Sequence, residues 1–227
     1  MKDDILSYRE MCDQENVQTL QRGMNYRLGP DHSVILMSQR KNAPYQDEAL
    51  GDGCTIIYEG HDWSKTEDVP NPKLVDQPER TQKGSFTQNG KFIHAVQSYN
   101  AGSPVEKVRV YEKLLAGVWS YKGLFELIDY EYVGSGSRRV YKFRLVLSES
   151  QAETSGSGLK QRNRVIPTLV KKAVWERDGG RCVICGAKDE LHFDHDIPYS
   201  KGGTSVTAEN VKILCARHNL SKGDKIE

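Results

Sequence analysis

Four side chains near the C-terminus stand in two pairs of equal spacing. Cys182-x-x-Cys185 and Cys215-x-x-His218 each put two soft donors where a tight turn can aim both at one ion. Three thiolates and one imidazole suit tetrahedral zinc, and a closed set of four ligands is structural. The surrounding segment is too small for a large core, so the ion is expected to supply much of its folding free energy. Between the pairs lie 29 residues, far more than a simple zinc finger needs. They carry a second set of chemically able groups: His192-Phe193-Asp194-His195-Asp196-Ile197-Pro198, then Lys201-Gly202-Gly203, then Asn210. Asn219 and Lys222-Gly223 follow directly after His218.

The order Asp194-His195-x-x-Pro198, Gly202-Gly203, Asn210, Cys215-x-x-His218-Asn219 and Lys222 resembles the HNH nuclease motif of the ββα-metal superfamily. The resemblance covers residues 165–227. It implies a β-hairpin and a helix gripping one catalytic divalent ion, with a zinc knuckle behind them. His195 is then the general base, since a neutral imidazole can take a proton from water near pH 7. Asp194 and Asn219 become the hard oxygen ligands of Mg²⁺ or Mn²⁺, the ion that stabilises the leaving oxygen. Asn219 stands where the family name has its last His, which favours oxygen ligation over a nitrogen-loving transition metal. Asn210 resembles the middle Asn, whose amide helps hold the His in place. Lys222 is a candidate DNA-backbone contact, and His192 a structural or phosphate-facing residue.

These groups need elements to position them. Residues 148–164 are rich in Ser and Gly and almost free of apolar side chains, as a linker is. They divide the chain into 1–147 and 165–227. Before the linker, short runs rich in Val, Ile, Tyr and Phe predict strands at 34–38, 55–58, 107–111, 125–132 and 139–147. Helical patterns lie near 4–21 and 92–99. After the linker, residues 166–178 predict a helix with Pro167 in its first turn and Gly179-Gly180 as its stop. Leu169, Val170, Ala173 and Val174 predict its buried face. The class is α+β.

Within 34–147 a further order of residues stands out. Pro44-Tyr45-Gln46-Asp47 leads to Tyr58-Glu59-Gly60-His61-Asp62, Asp76-Gln77-Pro78 and Asn89-Gly90-Lys91-Phe92. Val108-Arg109-Val110 and Tyr121-Lys122-Gly123 complete it. This order resembles the SRA (YDG) domain, which implies an SRA/PUA-like curved β-barrel with flanking helices that reads 5-modified cytosine by base flipping. A flipped pyrimidine needs flat walls and a polar reader at its edge. Tyr45 and Tyr58 are the candidate walls. Asp47 is the candidate acceptor for the cytosine amino group, with Glu48 as fallback. Arg109 is a candidate DNA-backbone contact. The loop 65–86 is a candidate groove probe, ordered only on DNA.

The chain has 227 residues with 32 Lys+Arg and 31 Asp+Glu, a net charge of +1 that looks poor for a nucleic-acid ligand. The average hides two halves. Residues 156–227 hold 13 basic and 9 acidic side chains, leaving 19 and 22 for residues 1–155. Seven of the basic ones lie between Lys160 and Arg181 and form a candidate phosphate stripe. No apolar run approaches the ~20 residues that span a bilayer, which excludes a helical membrane protein. Five cysteines and an acidic N-terminus predict a reducing, cytoplasmic setting. The joint expectation is an endonuclease for double-stranded DNA carrying 5-methylcytosine or 5-hydroxymethylcytosine, acting as a homodimer. The alternatives are a non-catalytic modified-DNA reader with a structural zinc module, and an HNH nuclease of different base specificity.

Overall fold

The computed structural model describes residues 3–40, 43–50, 54–148, 166–197, 203–204 and 207–222. The linker from 149 onward, Pro198, Lys201 and Gly202 lie outside the described residues. In chain order the elements begin with β1 (Asp3–Ser7), α1 (Tyr8–Gln14), β2 (Met24–Asn25), β3 (Ser33–Met37), β4 (Glu48–Ala49) and β5 (Thr55–Glu59). There follow α2 (Gln88–Asn100), β6 (Glu106–Leu115), β7 (Val118–Ser135) and β8 (Arg138–Leu147). After the linker come α3 (Thr168–Asp178), β9 (Leu191–His195), β10 (Val211–Cys215) and α4 (Ala216–Lys222). The result is a sheet-dominated α+β fold, and all five expected strands are present, most of them longer.

The strands form one sheet in the order β10-β9-β1-β7-β6-β3-β2, with β8, β5 and β4 branching from β7. β7 makes the branch because one of its edges changes partner. Its start pairs with β1, and from Phe125 onward it pairs with β8, past a bulge between Leu127 and Asp129. β6 occupies its other edge. A bulge bends a strand and sharpens its twist, which curves the sheet. Helix α2 fills the concave side. Phe92, Ile93 and Val96 pack against Met24, Ile35, Val108, Val110, Phe125 and Phe143. Each fully buried side chain of this kind contributes about 1.5–3 kcal/mol.

Two expectations are corrected. The helix expected over 4–21 is a strand followed by a short helix. Ile5, Leu6 and Ser7 pair with Ser120, Trp119 and Val118, so cross-strand partners override local propensity. The helix proper starts at Tyr8, where Ser7 and Glu10 make a reciprocal capping box. The second correction concerns α3. Its extent and its stop are as expected, with Gly179 in the left-handed region at φ 63°. Its buried side is not. Leu169 is 80% exposed and Ala173 is exposed, while Thr168 and Lys171 are buried with Val170 and Val174. The polar pair finds partners in the first half of the chain, which a periodicity of apolar residues cannot reveal.

A second apolar core joins the two halves. Ile5, Leu114, Leu115 and Val118 pack with Ile166, Val170, Val174, Phe193, Ile213 and Leu214. Among the described residues no helix is long and apolar enough to cross a membrane.

Candidate nuclease centre and base slot

β9 and β10 form an antiparallel hairpin in which His195 faces Val211 and Asp194 faces Lys212. Alternation along β9 buries Leu191 and Phe193 and leaves His192 and Asp194 half-buried on the other side. His195 ends the strand. The loop after it is pinned by Asn210, which is 8% exposed. Its amide oxygen accepts from the Ile197 N–H at 2.8 Å, and its amide nitrogen donates to the carbonyls of Ile197 at 3.2 Å and Thr204 at 2.9 Å. Asn210 therefore holds the backbone that follows His195. Helix α4 brings Asn219 and Lys222 back beside the hairpin. Lys222 is 2% exposed and donates to the Asp194 carboxylate and the His195 carbonyl. The carboxylate of Asp194 and the amide of Asn219 are hard oxygen donors of the kind a divalent cation takes, and the Lys222 ammonium is the cation that now occupies Asp194.

Behind the hairpin the four soft donors converge, all within 4.8 Å of one another. The Cys185 and Cys215 sulfurs are 3.8 Å apart, and His218 Nδ1 lies 3.4 Å from Cys182 Sγ and 3.3 Å from Cys215 Sγ. A tetrahedron with metal–sulfur bonds of ~2.3 Å has edges of ~3.8 Å, so the cluster fits one ion. Burial pushes the Cys182 thiol up, but the backbone N–H groups of Cys215, Cys185 and Ile184 outweigh it and bring it down to about 6. That favours the thiolate, the ligating form.

In the first half the candidate base residues lie at the end of β5 and in the segment before β4. Tyr45 is half-buried and its ring runs parallel to His61, with centroids 6.2 Å apart and planes at 20°. Tyr58 is 1% exposed and belongs to the core. Gly23 closes on both: a Cβ there would lie 2.6 Å from the Tyr58 hydroxyl and 3.4 Å from His61 Nε2. Burial lowers the His61 pKa to about 4, so its ring is a neutral plane at pH 7. Asp47 accepts from the backbone N–H of Ser38 at 3.0 Å and of Glu59 at 3.1 Å. Burial nevertheless raises its carboxyl to about 6. A cavity of about 600 Å³ touches Asp47 from the other face of β5, against Ile57, Tyr130, Lys142 and Arg144.

Residues 182–225 match the family model of the HNH endonuclease. An HNH endonuclease domain occupies this stretch. No curated protein matches the chain. Among solved structures, the SUVH5 SRA domain in complex with hemimethylated CG DNA is similar at 21% identity and TM-score 0.45, over 70% of this chain and 92% of that one. The modification-dependent TagI restriction endonuclease is similar at 19% identity and TM-score 0.43, over 99% of this chain and 78% of that one.

The hairpin places Asp194 and His195 beside the loop that Asn210 holds, and α4, which carries Asn219, packs on both of its strands. Three candidate DNA contacts are engaged otherwise. Lys222 is buried on Asp194. Arg109 pairs with Glu15 at 3.0 Å and lies over the Tyr121 ring. In the basic stripe, Lys171 is fully buried and Arg177 is held by Asp178 and two carbonyls. His192 pairs with Asp4 at 2.8 Å. The loop 65–86 is not left for DNA to order. Asp76 accepts from the Arg139 N–H at 2.7 Å, and Gln77 reaches Gly60, Asp62 and Tyr141. Asn89 clamps His61 from both its N–H and its carbonyl. Glu59, Lys73 and Arg138 complete an ion network under Tyr45 that sequence reasoning missed. Arg138 carries no local signal, because its partners lie more than 60 residues earlier.

Proposed function

We propose that the protein is a modification-dependent DNA endonuclease. Residues 1–147 read 5-methylcytosine or 5-hydroxymethylcytosine flipped from double-stranded DNA, 148–164 link, and 165–227 cut. The observation that carries the reading is the placing of Asp194 and His195 at the end of one hairpin strand, with Asn210 fixing the loop behind His195 and the helix that carries Asn219 packed on both strands, within the stretch that matches the HNH endonuclease model. Zinc is the ion for the Cys₃His cluster, where softness and the 3.8 Å edge favour it. Mg²⁺ or Mn²⁺ is the ion for Asp194 and Asn219, and when bound it stabilises charge on the leaving 3′-oxygen. His195 takes the proton of the attacking water, and Asn210 fixes the loop beside it. Thiols kept free in this set suit a reducing cytoplasm.

In the reader, Tyr45 and His61 form the slot. A base between two rings needs ~7 Å of perpendicular spacing, two van der Waals contacts, so the two rings, with centroids 6.2 Å apart, have to move apart to admit one. Asp47 is the acceptor for the cytosine amino group, and Tyr58 backs the slot. One HNH site cuts one strand, so a double-strand cut requires two copies, most simply a homodimer. A digest of modified and unmodified plasmid across a Mg²⁺ and Mn²⁺ series tests the proposal. Only modified plasmid should be cut, and His195→Ala should lose about 10²–10⁴-fold in rate while keeping modified-DNA affinity. Equal cutting of both plasmids would overturn the reader. No cutting of either would overturn the nuclease assignment.

A further inference from the structure

Three observations join the nuclease to the reader independently of the linker. First, β1 is shared. Its residues Ile5–Ser7 pair with β7 of the reader, and on its other edge Asp3 and Asp4 pair with Phe193 and His192 of the nuclease hairpin. The Asp4 carboxylate also holds His192 Nδ1 at 2.8 Å. Second, the apolar core under this seam is common property, since Ile5, Leu114 and Val118 of the reader pack with Val170, Val174 and Phe193 of the nuclease. Third, α3 inserts polar groups into reader sites that match them. Lys171 donates to Ser120 at 2.8 Å, and Thr168 lies on Glu112, itself paired with Lys122 at 2.9 Å. Glu112, Ser120 and Lys171 are fully buried. Such groups fit only one docking register, because a shifted one would leave a charge buried without its partner.

The catalytic pair starts one residue beyond this seam, since Asp194-His195 follows Phe193. The base slot lies on the same hydrogen-bonded framework. Tyr58 faces Phe143, Phe143 faces Tyr130, and β7 then runs from Tyr130 to Ser120, which faces Ile5 of β1. At ~3.3 Å per residue and ~4.8 Å between strands, Tyr58 and His195 are at most about 65 Å apart along this path, about twenty base pairs.

We infer that the seam of β1 and α3 is a ruler: it locks the HNH domain to the reader, so cleavage falls at one fixed offset, within about twenty base pairs of the modified base. The inference rests on the function proposed above for its cleavage, and on the fold alone for its seam. Two measurements on the full chain separate these. A site-specific protease sequence is placed in the 149–165 segment and cut. The two fragments should co-elute as one species at micromolar concentration with the zinc cluster intact; separation would overturn the seam. In the second measurement the same segment is lengthened by ten Gly/Ser residues. A duplex with one 5-methylcytosine should still be cut at the parent's position. Cuts that shift or spread by several base pairs would show a tether and overturn the ruler. If the parent shows no modification-dependent cutting, the proposed function fails, and the co-elution still decides the seam.

Discussion

The two halves of the molecule position their chemistry in opposite ways. The nuclease end gathers its groups from 41 consecutive residues, 182–222, using one hairpin, one short helix and a four-donor cluster. The first half gathers its candidate groups from the 94 residues between Tyr45 and Arg138 and holds them with buried amides and ions, such as Gln77, Asn89 and Arg138 around Gly60–Asp62. The first arrangement needs a metal because it has little core of its own. The second needs a large curved sheet, because its residues meet only when distant strands pair. A centre of the first kind is written in spacing. One of the second kind is written in tertiary contacts.

Metal removal should break this comparison most severely. A structural zinc site contributes on the order of 10 kcal/mol, so stripping the ion from Cys182, Cys185, Cys215 and His218 should unfold the hairpin. β1 borrows one edge from β9, so loss of protection should reach Asp3 and Asp4 but stop short of the α2 core. Hydrogen exchange on chelated protein checks this. Uniform loss of protection through Phe92 and Val96 would show that the reader has no stability of its own.

The next effect lies between the halves. Burial would raise the Glu112 carboxyl, but the ammonium groups of Lys122 and Lys171 outweigh it and hold it below the usual range. Glu112→Gln leaves both cations buried without a counter-charge, a loss of about 3–5 kcal/mol. The depressed value sets the sign with pH. The stabilisation is complete above the ordinary carboxylate pKa of about 4.3 and disappears as pH falls through the lower folded value. Denaturant midpoints of both proteins between pH 7 and pH 3 should therefore converge toward acid.

Asp47 is the opposite case. Its carboxyl is raised to about 6 by burial, so ionising it opposes folding as pH climbs from about 4 to about 6. The same ionisation creates the acceptor proposed for the cytosine amino group. Affinity for modified DNA should thus fall as pH drops through 6. Asp47→Asn should cost on the order of 10–100-fold in affinity and flatten that dependence. A fluorescence-anisotropy titration with 5-methylcytosine duplex at pH 5, 6 and 7 measures it. An unchanged profile in the variant would move the reading role away from Asp47.

What was legible follows the same division. Cys182, Cys185, Cys215, His218, Asp194, His195 and Asn210 were readable because neighbours in sequence are neighbours in space. The strands of the first half read as patterns, but β1 reads as helix because its identity comes from Ser120 and His192, far along the chain. Tyr45 and Asp47 stand out in the motif order, whereas His61 is only a member of it, since its partnership with Tyr45 depends on clamping by Asn89. Lys171 and Lys222 read as phosphate contacts and are the most deeply buried cations among the described residues of the C-terminal half.

The smallest expected effect tests that last point on α3. Apolar periodicity puts Leu169 inside with Val170 and Val174, yet Leu169 is 80% exposed while Val174 is fully buried in the shared core. Leu169→Ser should change stability by no more than about 0.5 kcal/mol, as surface replacements do. Val174→Ala should cost roughly 1–3 kcal/mol, because it empties space between Val170 and the hairpin. The face that matters in α3 is then the one carrying Thr168 and Lys171, and its polarity is the mark of a helix that docks onto a partner site instead of a plain apolar core. A Leu169→Ser loss as large as that of Val174→Ala would restore the apolar face and remove α3 from the seam.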